Sequence, residues 1–181
     1  MTNPSAPAFA KAVMKKVDNP QRKYHPGNLI PMFRLAAKLC KDMRAAGFTD
    51  NGGAIHSAER ILNTLGLCLV YPELSHPNNL RKYEKAEFSV KARAAYDRGD
   101  KVLIEHVSPV RAFTRMAIEK IDSLDDKGLE RFVKKHFRLV LLTPEETAQL
   151  NRQNRSKMSK DRLAGIRFCQ RSRAQASSPT I

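Results

Sequence analysis

Two short runs of branched and apolar residues, KVLIEHV (101–107) and FRLVLLT (137–143), are all that reads as β-strand in this chain of 181 residues. Each is bounded by turn signals, as a buried strand is. A two-stranded sheet is marginal alone and must be covered by helices. The remaining periodicity is helical. From Leu29 to Ala46 apolar residues recur at i, i+3, i+4 and i+7, and Gly47 ends the run. Asn51-Gly52-Gly53 is a turn, and Ile55, Ala58, Ile61, Leu62 and Leu65 form a second helical stripe that Gly66 closes. LCLVYPEL (67–74) is a short apolar stretch broken by Pro72, 79–98 reads as a helix, and Arg98-Gly99-Asp100 turns the chain into the first strand. Helices over 110–121 and 127–136, separated by a turn at 122–126, connect the strands. Thr143-Pro144-Glu145-Glu146 is a strong helix start, with Thr143 at N-cap, Pro144 at N1 and Glu146 closing a capping box. The helix it opens runs to about Arg155. The expected fold class is mostly α with a small two-stranded β element, packed on an N-terminal helical region.

Charge divides the chain further. Thirty-three Lys and Arg against eighteen Asp and Glu give a formal net charge of +15. Residues 1–28 carry +4, residues 152–181 carry +7, and the long middle only +4. The expected organisation is an extended basic arm (1–28, with Pro4, Pro7, Pro20, Pro26 and Gly27), a helical region (29–98), a mixed region (99–158) and a basic flexible tail (159–181). Such ends suit a polyanion, since Lys and Arg neutralise phosphates and release counterions; a solubilising tail is the plainer alternative. A hydrophobic share of 41% can bury a core. No apolar run approaches the ~20 residues of a membrane helix, and the N-terminus lacks the core of a signal peptide. Cys40, Cys68 and Cys169 are odd in number and widely spaced, fitting neither a disulfide framework nor a zinc site. The expectation is a reduced, cytoplasmic, soluble protein with no membrane partner.

Few residues offer chemistry. Glu105-His106 stands at the end of the first strand, before Ser108-Pro109. If Val102 and Ile104 face the core, His106 shares their side and Glu105 points away; at a fraying strand end the two could instead reach one cleft. The plain alternative is a surface Glu beside a half-buried His. Asn151 and Asn154 are three apart on one face of the last helix, either as functional groups or as a solvated helix end where Asn serves as a C-cap. Arg155, Ser156 and Lys157 follow and suit phosphate contacts. His25 and His76 each precede Pro in loops, His56 begins the second helix, and His136 ends another. Their spacing makes no zinc site, and no P-loop, G-x-G-x-x-G or G-x-S-x-G occurs.

The order of IEHVSP (104–109) and LVLLTPEETAQLNRQNRSKM (139–158) resembles the ββα-metal, or HNH-type, nucleases. In that family an Asp/Glu-His pair closes the first strand, and a second strand leads into a helix whose His or Asn completes a metal site. The resemblance implies His106 as general base, Glu105 as carboxylate ligand of a divalent metal, and Asn151 or Asn154 as the helix ligand. NRSK (154–157) looks like the end of the HNH segment in the RNA-guided CRISPR nuclease, favouring Asn154; helix length in other subgroups favours Asn151. The implied cofactor is magnesium, with manganese also suited, and the implied reaction is phosphodiester hydrolysis of double-stranded DNA. Arg138, Arg152, Arg155, Lys157, Lys160 and Arg162 would contact nucleic acid, and a two-fold target would call for a homodimer. The resemblance covers roughly 101–158, about a third of the chain. It departs from the family in three ways: two helices fill the segment between the strands, Glu replaces the commoner Asp, and Arg138 stands where a residue orienting the base is expected. A non-enzymatic nucleic-acid-binding protein explains the charge without Glu105 or His106, and a protein-interaction module with an acidic partner is a third class.

Overall fold

A computed structural model of the protein describes residues 24–49, 53–154 and 162–169. Its described elements are α1 (Pro26–Ala45), α2 (Gly53–Val70), a 3-10 turn (Pro77–Lys82), α3 (Val90–Asp97), β1 (Leu103–His106), α4 (Val110–Lys120), a second 3-10 turn (Ile121–Ser123), α5 (Asp126–His136), β2 (Leu139–Leu142) and α6 (Pro144–Asn154). The chain is mostly helical, with one two-stranded antiparallel sheet. No helix among the described residues is long and apolar enough to cross a membrane.

Both His-Pro pairs start helices rather than lying in loops. The Nδ1 of His25 accepts from Gly27 N at 3.1 Å, and that of His76 accepts from Asn78 N at 3.1 Å. In each case the imidazole serves as N-cap and Pro fills the next position, where no N–H is needed. α1 then buries Leu29, Ile30, Phe33, Ala37 and Cys40 along one face.

α2 does not stop at Gly66, as its glycine suggests, but continues to Val70, so the first residues of LCLVYPEL are its last turn. The glycine serves close approach instead. A Cβ at position 66 would lie inside the van der Waals envelope of the buried Phe137 ring. Just past α2, the Tyr71 hydroxyl accepts from Leu139 N (3.0 Å) and donates to Leu139 O (3.3 Å), tying the helix end to the first residue of β2.

The single helix expected over 79–98 is also corrected. The 3-10 turn ends at Lys82, and residues 87–89 run extended beside β2, where Leu141 N donates to Glu87 O (2.8 Å) and Ser89 N to Leu141 O (3.0 Å). Ladder partners on β2 claim these backbone groups, so α3 begins only at Val90, with Ser89 Oγ accepting from Ala92 N at 2.9 Å.

β1 pairs with β2 from Leu103↔Leu142 to His106↔Leu139. Alternation gives the sheet two apolar faces. Ile104, Leu139 and Leu141 join the main core, which runs without a break from Leu29 on α1 to the sheet. The expected boundary between 29–98 and 99–158 therefore separates no two cores. Val140 and Leu142 face a second cluster with Leu150, Val107, Leu163, Ile166 and Phe168. That cluster corrects the flexible tail for residues 162–169: Val90 N donates to Arg167 O (2.9 Å) and Cys169 N to Phe88 O (3.0 Å), docking the segment as a further extended piece. The arm up to residue 23, residues 155–161 and residues 170–181 lie outside the described residues.

Gly66→Ala should lower stability by roughly 1–3 kcal/mol through overpacking against Phe137. Urea denaturation measures this, and Phe137→Leu in the same chain should recover part of the loss caused by the added methyl.

Candidate functional site at the end of strand β1

His106 is the last residue of β1, on the face of the main core. Its Nε2 lies 2.7 Å from Asn63 Oδ1 on α2, and the Phe137 ring meets it edge-on at 5.7 Å. Burial and the positive charge of Arg162 push the imidazole from its ordinary 6.5 down to about 4. The ring is therefore neutral at neutral pH. With the Asn63 oxygen facing it, Nε2 carries the proton and Nδ1 the lone pair. Asn63, on α2, is thus the residue that fixes the His106 ring, and no residue near β2 does so among the described partners.

Glu105 leaves the opposite face, toward α6 and the docked C-terminal segment. Its carboxyl is pushed up by burial, although the Arg162 guanidinium and the Thr147 hydroxyl both favour the charged form. Thr147 stands near enough to help that charge, yet its buried hydroxyl closes no hydrogen bond of normal geometry among the described residues. Arg162 is 5% exposed; its Nη1 donates to His106 O (2.7 Å) and Val107 O (3.0 Å), and its buried Nε has no described partner. The strand end is thus gripped through its carbonyls from one side while its two functional side chains diverge. Sharing of one cleft by Glu105 and His106 is not what these faces show, because alternation persists to the last residue of the ladder.

On α6, Thr147, Leu150, Asn151 and Asn154 share one face by helical spacing. Leu150 is buried against the sheet, while Asn151 and Arg152 are exposed. Asn154 closes α6, and its side chain lies outside the described residues, as do Arg155, Lys157 and Lys160. The two remaining candidates for nucleic-acid contact have internal partners. Arg138 Nε donates to Glu87 Oε2 at 2.7 Å, and its guanidinium sits 5.5 Å from the Phe168 ring centre. Arg162 is corrected outright: a guanidinium buried on backbone carbonyls presents nothing to a phosphate backbone.

No cluster of three or more His, Cys, Asp or Glu forms a metal-binding group among the described residues. The oxygen groups at Glu105 are its own carboxylate and the buried Thr147 hydroxyl; Asn151 follows Thr147 one turn along α6 and is exposed. That set fits magnesium, which is often held by one carboxylate with waters and phosphate completing the shell. Arg162 competes for the same carboxylate.

Sequence reading missed Asn63, Thr147 and a polar row on α2. His56, Glu59 and Asn63 sit at i, i+3 and i+7 on a helix otherwise rich in apolar residues, and that interruption was the available signal. Glu59 accepts from Arg111 Nε on α4 at 2.7 Å and lies 2.8 Å from His56 Nδ1. Burial pushes the Glu59 carboxyl up, but Arg111 and His56 together outweigh it and hold it below its usual value. No family model, curated protein or solved structure matches the chain.

The depressed value of His106 has a consequence for stability. Between about pH 6.5 and pH 4 the unfolded chain binds a proton that the folded one refuses, so stability rises with pH across that window. The contribution is complete above about pH 6.5 and falls away on acidification by about 3 kcal/mol. His136, lowered by burial, Lys135 and Lys120, acts in the same direction, and Glu105, raised by burial, acts against it. Urea midpoints measured across this window should fall on acidification, and fall less in His106→Gln; equal slopes would remove His106 as the cause.

Proposed function

We propose that this chain is a metal-dependent endonuclease of the ββα-metal, HNH type, hydrolysing phosphodiester bonds of DNA. The observation that carries the reading is a neutral His106, fixed through Nε2 by Asn63, at the end of a strand whose antiparallel partner runs straight into a capped helix. With Nε2 engaged, Nδ1 is the atom that takes a proton from the attacking water. Glu105, Thr147 and Asn151 or Asn154 would hold a magnesium or manganese ion. When bound, the cation stabilises charge on the phosphate and leaving oxygen. The substrate phosphate would sit across the end of β1, where it meets side chains from both faces. Arg152, Arg155, Lys157 and Lys160 follow along the same helix and beyond it, and neutralise flanking phosphates. Arg162 acts as a positioning residue, setting the backbone of His106 from below.

A non-enzymatic nucleic-acid-binding protein is the second reading, favoured by the divergence of Glu105 and His106 and by the guanidinium already beside Glu105. Supercoiled, linear and single-stranded DNA, and RNA, incubated with magnesium or manganese separate the two. The nuclease cleaves, stops on chelation of the metal, and loses roughly 10²- to 10⁴-fold in rate in His106→Ala with binding retained. Asn63→Ala gives a smaller loss. Binding without cleavage under either metal, with affinity falling steeply as salt rises, would establish the second reading and end the first.

A further inference from the structure

α1 has a second apolar stripe that nothing in the described fold covers. Met32 is 48% exposed, Leu35 71% and Leu39 52%, and Phe48 just past the helix is 64% exposed. Met32, Leu35, Leu39 and the half-buried Met43 recur at helical spacing, on the side away from the core face of Leu29, Phe33, Ala37 and Cys40. An apolar row of this length on a surface otherwise rich in charge marks an interaction site.

The charges along the stripe identify the occupant. Lys41 pairs with Asp122 and Arg34 with Asp126, so those two cations turn toward the 3-10 turn and α5. Lys38 and Asp42 remain beside the stripe, one of each sign, four residues apart, paired with each other and largely exposed. We propose that this face is the interface of a homodimer, in which α1 packs antiparallel against α1 of a second copy about a two-fold axis near Leu39. In that register Lys38 of each copy meets Asp42 of the other, twice by symmetry. Leu39 meets Leu39 and Leu35 meets Met43, with Met32 and Phe48 at the two ends of the stripe. The chain's own first residues fit less well: they carry Lys11, Lys15, Lys16, Arg22 and Lys23 against one acid, Asp18, and the stripe offers them one carboxylate already paired to a lysine.

The stripe supplies roughly 400 Å² of apolar surface per copy, below the ~800 Å² per partner of a standard interface. The dimer is therefore weak and concentration-dependent. The proposal stands independently of the nuclease reading.

Sedimentation equilibrium of the full chain over a wide concentration range tests it. The expected result is a monomer–dimer equilibrium in the micromolar range. Leu35→Glu combined with Leu39→Glu should leave a monomer with an unchanged circular dichroism spectrum. Lys38→Asp should weaken the dimer about tenfold or more, and Lys38→Asp with Asp42→Lys should restore it. Leu39→Cys should form a disulfide-linked dimer under mild oxidation faster than the unsubstituted chain, since the axis passes beside position 39. A monomer at every concentration overturns the proposal, whether the stripe is then open or covered by residues 1–23. A dimer indifferent to these substitutions overturns it equally.

Discussion

The carboxylate of Glu146 sits where three elements meet, and much of the architecture around the sheet follows from it. It is 6% exposed, so its oxygens must find hydrogen-bond partners inside the protein. It accepts from Thr143 N at 3.0 Å and from Ser89 Oγ at 2.5 Å. Thr143 Oγ1 in turn accepts from Glu146 N, and Ser89 Oγ from Ala92 N. One buried carboxyl group thereby joins the starts of α6 and α3, both of which present positive dipole ends and unsatisfied N–H groups. The capping box seen in the sequence is real, but it is half of the arrangement. The other half comes from Ser89, fifty-seven residues earlier. Fixing Ser89 fixes the extended residues beside β2, and these in turn receive residues 166–169.

The positive charge plays two roles. Several arginines act as internal fasteners. Arg34 donates to Leu124 O (2.7 Å), Ile121 O (3.2 Å) and Asp126 Oδ1 (3.0 Å), closing the carbonyl end of α4 and its 3-10 turn onto the start of α5. Arg111 binds Glu59 across α4 and α2, Arg138 binds Glu87, and Arg162 holds the end of β1. A guanidinium can satisfy several carbonyls or both carboxylate oxygens at once, which a lysine cannot. The remaining surplus of positive charge is concentrated at the two ends of the chain.

The end of β1 brings together two environments that a strand keeps apart. On the core face, burial and the Arg162 charge hold His106 neutral while Asn63 sets its tautomer. On the other face, the half-buried Glu105 lies beside the Arg162 guanidinium and the Thr147 hydroxyl. A neutral imidazole and a half-buried carboxyl thus stand on opposite faces of one strand end.

Local patterns determined a good deal. The two strands, the helices over Val110–Lys120 and Asp126–His136, and the capped start at Thr143 follow from periodicity and capping chemistry that act within a few residues, and all were legible. The even split of β1 into a core side with His106 and an outer side with Glu105 was legible too, since it depends only on alternation. Where reading failed, the deciding partner lay far along the chain. Gly66 looked like a stop signal because its reason, the Phe137 ring, is contributed seventy-one residues later. The 79–98 segment has helical composition, but β2 draws its middle into extended bonding. Residues 162–169 have the composition of a free tail, yet they find the second apolar face of the sheet. Asn63 became part of the site only because α2 crosses the end of β1. Thus the sequence alone determined the two strands, most of the helices and where the charge lies; the tertiary structure decided where some of those elements end and which polar groups meet, because burial and hydrogen-bond satisfaction are settled between elements rather than within them.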